Sequence, residues 1–108
     1  MIARIWTART TRTQAPAYAE HLRTHVFARL GEIEGFVHAL LLQREVADGV
    51  EVEVITFWRS LESIRAFAGP DAGAAVVTGT ASALLTDYDR RTKHFQVVLG
   101  DDLAGKGG

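Results

Sequence analysis

The sequence contains no cysteine. That excludes disulfides, thiolate metal sites and a thiol nucleophile. It has almost no charge imbalance: the formal net charge is -1, and Lys and Arg are spread along the chain. Such a chain makes no electrostatic case for binding nucleic acid or an anionic membrane. No apolar run approaches bilayer length, and the opening MIARIWTART lacks the long apolar core of a signal peptide. The expectation is a soluble cytoplasmic protein. There are only two prolines, Pro16 and Pro70, and each reads as helix punctuation. What is present is ordinary for a globular protein: 108 residues, 47% hydrophobic and 23% charged. This is enough for one domain, expected over residues 1–100, with a frayed polar tail DDLAGKGG over 101–108.

The periodicity predicts βαββαβ. Met1 to Thr7 is a first strand, with Ile2, Arg4 and Trp6 on one face and Ala3, Ile5 and Thr7 on the other. Thr13 is a plausible N-cap, and Tyr18, Leu22, Val26 and Leu30 form the stripe of a helix that Gly31 stops. FVHALLLQ, Phe36 to Gln43, is the second strand, and Asp48-Gly49 signals a hairpin into the third, Val50 to Trp58. Ser60 caps a helix with Leu61, Ile64 and Phe67 as its stripe, broken at Gly69-Pro70. Ala72 to Val77 reads as a helical turn or two, Ala81 to Tyr88 as a short helix, and Thr92 to Leu99 as the fourth strand. This is the ferredoxin-like α+β arrangement with an antiparallel four-stranded sheet. Its helices cover only one face. Leu40-Leu41-Leu42, Val54-Ile55 and Phe57-Trp58 are nevertheless apolar on both. The expectation is a homodimer through the sheet faces.

MIARIW, GEIEGF, TFWRSLESIRAF and HFQVV together resemble the antibiotic biosynthesis monooxygenase family, of the dimeric α+β barrel superfamily. The resemblance covers nearly the whole chain and rests on spacing and a strand-end WxS. It implies a pocket between sheet and helices, and oxidation of phenolic rings by molecular oxygen without metal or flavin. The family's pocket Trp matches Trp58; its strand Asn falls at Val54 and its helical Tyr at Ile64. In the haem-degrading branch, the strand Asn falls at Thr7, the helical Trp at Phe67 and the haem-ligating His at about Val77.

The candidate catalytic residues are therefore Trp58, His94 and His25. Trp58 either stacks on an aromatic ligand or anchors sheet to helix. His94 is the first choice of base for a phenol, against a structural, hydrogen-bonded reading. His21 and His25 stand four apart on one helical face. No glutamate lies between them and no third ligand is obvious, so no metal is expected. The wheel puts His25 nearer the stripe. His38 is expected on the dimer face. Ligand contacts are expected from Thr7, Tyr18, Val54, Thr56, Ile64 and Phe67. Two functions follow: a cofactor-independent monooxygenase acting on a small aromatic or polyketide-like substrate, or a non-catalytic dimer of the same fold that binds a small apolar ligand.

Overall fold

The computed structural model describes residues 1–100; the expected tail, residues 101–108, lies outside the described residues. The central strand is β1 (Ile2–Thr10), longer than expected by three residues at its C-terminal end. Its even-numbered residues Arg4, Trp6, Ala8 and Thr10 are buried under the helices. The hairpin β2 (Phe36–Val46) and β3 (Gly49–Trp58) lies beside it, with β3 paired antiparallel to both β1 and β2. On the far side of β1 the fourth position is divided between β4 (Asp87–Tyr88) and β5 (Lys93–Gln96), both antiparallel to β1. The order β2-β3-β1-β4, with β5 also on β1, is the ferredoxin-like α+β sheet.

One helical run packs across it. It begins as α1 (Ala15–His21), widens into a π-helical turn (Leu22–Phe27) and closes as α2 (Ala28–Leu30). Its N-cap is Gln14 rather than Thr13, and the Thr11 hydroxyl accepts from the Gln14 amide at 3.0 Å. Helix α3 (Leu61–Ala68) starts as expected: the Ser60 hydroxyl accepts from the Ser63 amide at 3.2 Å.

The segment after α3 departs from expectation. Residues 72–77 form no helix. Ala74 bridges to Arg91, and the Arg4 guanidinium donates to the Ala74 carbonyl at 2.7 Å, so tertiary contacts hold this stretch extended. Helix α4 spans Gly79–Ala83, capped by Thr78, and stops before the expected end at Tyr88. The Thr10 hydroxyl donates to the Leu84 carbonyl at 2.6 Å, and the Thr86 amide donates to the Arg9 carbonyl at 2.8 Å. These bonds draw the chain onto the sheet edge as β4. The last strand ends at Gln96, leaving Leu99 exposed.

The hairpin register is two residues from the expected one. Val46 pairs with Gly49, so the loop is Ala47-Asp48, and Ala39 lies opposite Thr56 rather than Trp58. A shift of two preserves side-chain parity. His38 therefore faces away from the helices, stacked on Phe57 at 6.3 Å. An extra residue is accommodated between Phe36 and His38 as a bulge, which lets Phe36 meet Trp58 on the helix side.

Candidate functional site

Two buried clusters form on the helix side of the sheet. One gathers Trp6, Tyr18, Leu22 and Val52; the other gathers Leu30, Trp58, Ile64 and Ala72. Residues of both line a cavity of about 330 Å³ between the sheet and the first helical run. Its walls are mainly apolar, from Trp6, Leu22, Val54 and Phe67, with Val76 and Val77 closing one side. The register places Arg4 against Thr56 and Trp6 against Val54, so those four side chains form its floor.

Thr56 is buried, and its hydroxyl oxygen accepts from the Trp58 indole N–H at 2.8 Å. The hydroxyl proton is then left to donate. Tyr18 lines the cavity, and burial pushes its phenol above the ordinary value, so it stays a neutral hydroxyl. His21 and His25 lie ring on ring, with centroids 5.2 Å apart and planes within 11°. His21 is 9% exposed and its Nε2 is buried without a hydrogen-bond partner, whereas His25 is exposed at the rim. This reverses the wheel's ordering. A π turn holds more residues than an α turn, so it rotates His25 away from the sheet.

The His25 tautomer follows from its neighbour. The Thr24 hydroxyl donates to the Glu20 carbonyl at 2.9 Å, so its oxygen accepts from His25 Nδ1–H at 2.7 Å. Neutral His25 then carries its lone pair on Nε2, as a general base requires.

Arg4 is the residue that the sequence reading passed over. It lines the cavity at 6% exposure, and its guanidinium carbon lies 5.5 Å from the Phe67 ring centroid. Burial pulls its pKa down to about 10, still well above neutrality. The signal was present: a charge flanked by Ile2 and Trp6 on the buried parity of a central strand.

Several expected contacts are placed elsewhere. Trp58 is 0% exposed, packed between Phe36 at 5.3 Å and Phe67 at 6.0 Å, and it stands behind the cavity wall. Ile64 is buried in the same cluster and does not line the cavity. Thr7 lies on the odd parity of β1, away from the helices, and borders a polar groove near the hairpin loop. His94 pairs with Arg4 across β1 and β5 but is not on the cavity lining; its Nε2 lies 3.2 Å from the Thr92 hydroxyl. Desolvation and the nearby Arg4 charge hold its pKa below the ordinary value. Tyr18, Val54, Thr56, Phe67 and His25 do meet around one space. Among the described residues no group of acidic, His or Cys side chains is arranged to hold a metal.

No family model matches the sequence, and no curated protein does. Solved structures do match. A protein described as an antibiotic biosynthesis monooxygenase from Chloroflexus aurantiacus superposes with a TM-score of 0.63 at 18% identity, over 92% of this chain and 94% of its own. The corresponding Bacillus cereus protein gives 0.62 at 18% identity, over 92% and 94%. The haem degrader MhuD of Mycobacterium tuberculosis, with two haems bound in its active site, gives 0.64 at 20% identity, over 93% and 98%. The chain has the fold of the antibiotic biosynthesis monooxygenase proteins. The resemblance puts the haem-ligating histidine of the haem-degrading branch at about Val77, whose side chain has no lone pair to offer iron.

Proposed function

We propose that this protein is a cofactor-independent monooxygenase acting on a small aromatic or polyketide-like substrate with molecular oxygen. One observation carries the reading: an imidazole with its lone pair on Nε2 stands at the mouth of an apolar cavity whose floor holds a hydroxyl donor. His25 removes the phenolic proton. The ionised ring passes an electron to oxygen, and the pair combine as a carbon-bound peroxide. With an anthrone, loss of water from that peroxide leaves a carbonyl. Both hydrogens of the reacting carbon depart with one oxygen atom, and the other oxygen stays on the ring. Thr56, on the cavity floor, donates to an oxygen at the inner end of the substrate and so fixes its depth.

Oxygen uptake with dithranol, measured above the uncatalysed background, tests the proposal. His25→Ala is expected to lower kcat by roughly 10²-fold or more. Raising the pH until the phenol ionises unaided should restore part of the rate. Uptake that equals background, or that is indifferent to His25, counts against it.

A second reading is favoured by specific substitutions. Val54 and Ile64 are aliphatic where the resembled family has polar groups, and the Trp58 N–H is committed to Thr56. On that reading the cavity binds an apolar ligand without turning it over.

On either reading we infer a homodimer through the outer sheet face. Cross-strand rows there bring Phe95, Ala3, Phe57 and His38 together, then Lys93, Ile5, Ile55 and Leu40. Phe95 is 54% exposed and Leu42 in the next row 47%. Apolar area on that scale favours a covering surface, and a second copy supplies one with matching pattern. Sedimentation at micromolar concentration should give a dimer, and Leu40→Lys a monomer; a wild-type monomer contradicts the inference.

A further inference from the structure

The cavity contains a cation that no described acidic residue neutralises. Arg4 is nine-tenths buried, and among the described residues no carboxylate forms an ion pair with it. Among the described residues its guanidinium has one hydrogen bond, to the Ala74 carbonyl, and its Nε is buried without a partner. Desolvation is the sole resolved influence on its pKa, which stays far enough above neutrality to keep the charge. An arginine left in this condition is costly, because the attraction that normally offsets desolvation is missing. A structural role does not account for the charge. The Ala74 carbonyl is neutral and the Phe67 ring is a weak partner for a desolvated cation, so neither replaces a carboxylate.

The cavity supplies the missing context. Arg4 lies on its floor, beside the Thr56 hydroxyl and beneath apolar walls. We propose that the ligand of this cavity is an acid: a compact aromatic body ending in a carboxylate that pairs with the Arg4 guanidinium. This deepens the proposed function, resting on the same cavity as the substrate site. The planar guanidinium matches a carboxylate in shape and charge. A phosphate dianion would need a second buried cation, and Arg29, the other arginine on the lining, is exposed. The carboxylate fixes which end of the aromatic body enters first, and so which phenolic hydroxyl the rim base His25 reaches.

The test is equilibrium binding by calorimetry at pH 7.5, without oxygen, using 2-naphthoate and its neutral isostere 2-naphthamide. Wild type is expected to bind the acid about tenfold or more tightly than the amide. Arg4→Gln should abolish that preference, and Arg29→Gln should keep it. Arg4→Met, which removes the charge and with it the donor to the Ala74 carbonyl, is likewise expected to lose the acid preference. Equal affinity for the two probes, binding of neither, or a preference that survives Arg4→Gln overturns the proposal. So does a preference lost in Arg29→Gln. A variant too unstable to measure does not block the decision, since the acid-to-amide ratio of wild type alone can refute it. Binding is read without turnover, so a protein that selects acids but consumes no oxygen refutes the monooxygenase reading and leaves this one standing.

Discussion

Trp58 gives its indole N–H to the Thr56 hydroxyl, 2.8 Å away, and both groups are buried. A tryptophan so committed supports the wall of the cavity and orients the threonine that faces it. Trp58→Phe should therefore cost stability, roughly 1–3 kcal/mol from lost packing and one lost hydrogen bond. It should leave naphthoate affinity within about twofold of wild type. Thr56→Val should be destabilising too, by about 1–3 kcal/mol, because it strands a buried donor. Thermal melts and calorimetry on the two variants check this. A Trp58→Phe protein that is fully stable but no longer binds would mean the indole itself meets the ligand.

The second prediction concerns pH. His94 is held below its ordinary pKa of 6.5, first by desolvation and then by the charge of Arg4, with Arg91 adding a little and the Ala72 backbone opposing. The folded state thus resists protonating it more than the unfolded state does. Stability from this source is complete above pH 6.5 and is lost as pH falls from there through the lowered folded value. Melting temperature should fall as pH drops from 7 to 5, and His94→Gln should flatten that slope. The paired carboxylates of Asp71 and Glu20, both lowered by arginine hydrogen bonds, contribute only at more acid pH. A slope unchanged in His94→Gln would contradict the assignment.

A third prediction tests the junction of β2 and α3. Gly35 has φ +92°, and a Cβ built there would lie 1.8 Å from the Ser63 hydroxyl oxygen. The same backbone accepts from the Arg59 amide at 2.8 Å, so it is not free to withdraw. Gly35→Ala combines an unfavourable backbone conformation with a collision at the capped start of α3. It should destabilise by roughly 2 kcal/mol or more, a fall in melting temperature on the order of 10 °C. Gly69→Ala makes a useful comparison, with similar φ of +92° but open space around it; it should cost less.

The central strands were legible because parity is a strong constraint. Ile2, Arg4 and Trp6 on β1, and Val54, Thr56 and Trp58 on β3, were assigned to shared faces from alternation alone, and the register pairs them. The hairpin was found but displaced, because a two-residue loop at Ala47-Asp48 and one at Asp48-Gly49 satisfy the same alternation. What selects between them includes the close approach of Gly49 to the Thr10 carbonyl, a contact with another strand. The segment from Ala72 to Tyr88 was misread for a related reason. Its alanines and leucines suit a helix, but bonds to Arg4, Thr10 and Arg9 hold much of it extended. At the site, a π turn undid the helical wheel for the two histidines. Arg4 was visible as a charge on the buried face, yet its isolation emerges only when every neighbour is in place.

The most direct measurement is oxygen consumption by the wild type and by a cavity-filled variant, Val54→Phe, with a carboxylate-bearing anthrone as substrate. Val54 lies on the cavity floor beside Trp6, so a larger side chain there occupies the space while leaving the His25 side chain in place. The account predicts one oxygen consumed per anthrone oxidised by wild type, and only the background rate for a Val54→Phe protein that still melts cooperatively. Wild type at the background rate, or Val54→Phe oxidising as fast as wild type, would contradict it.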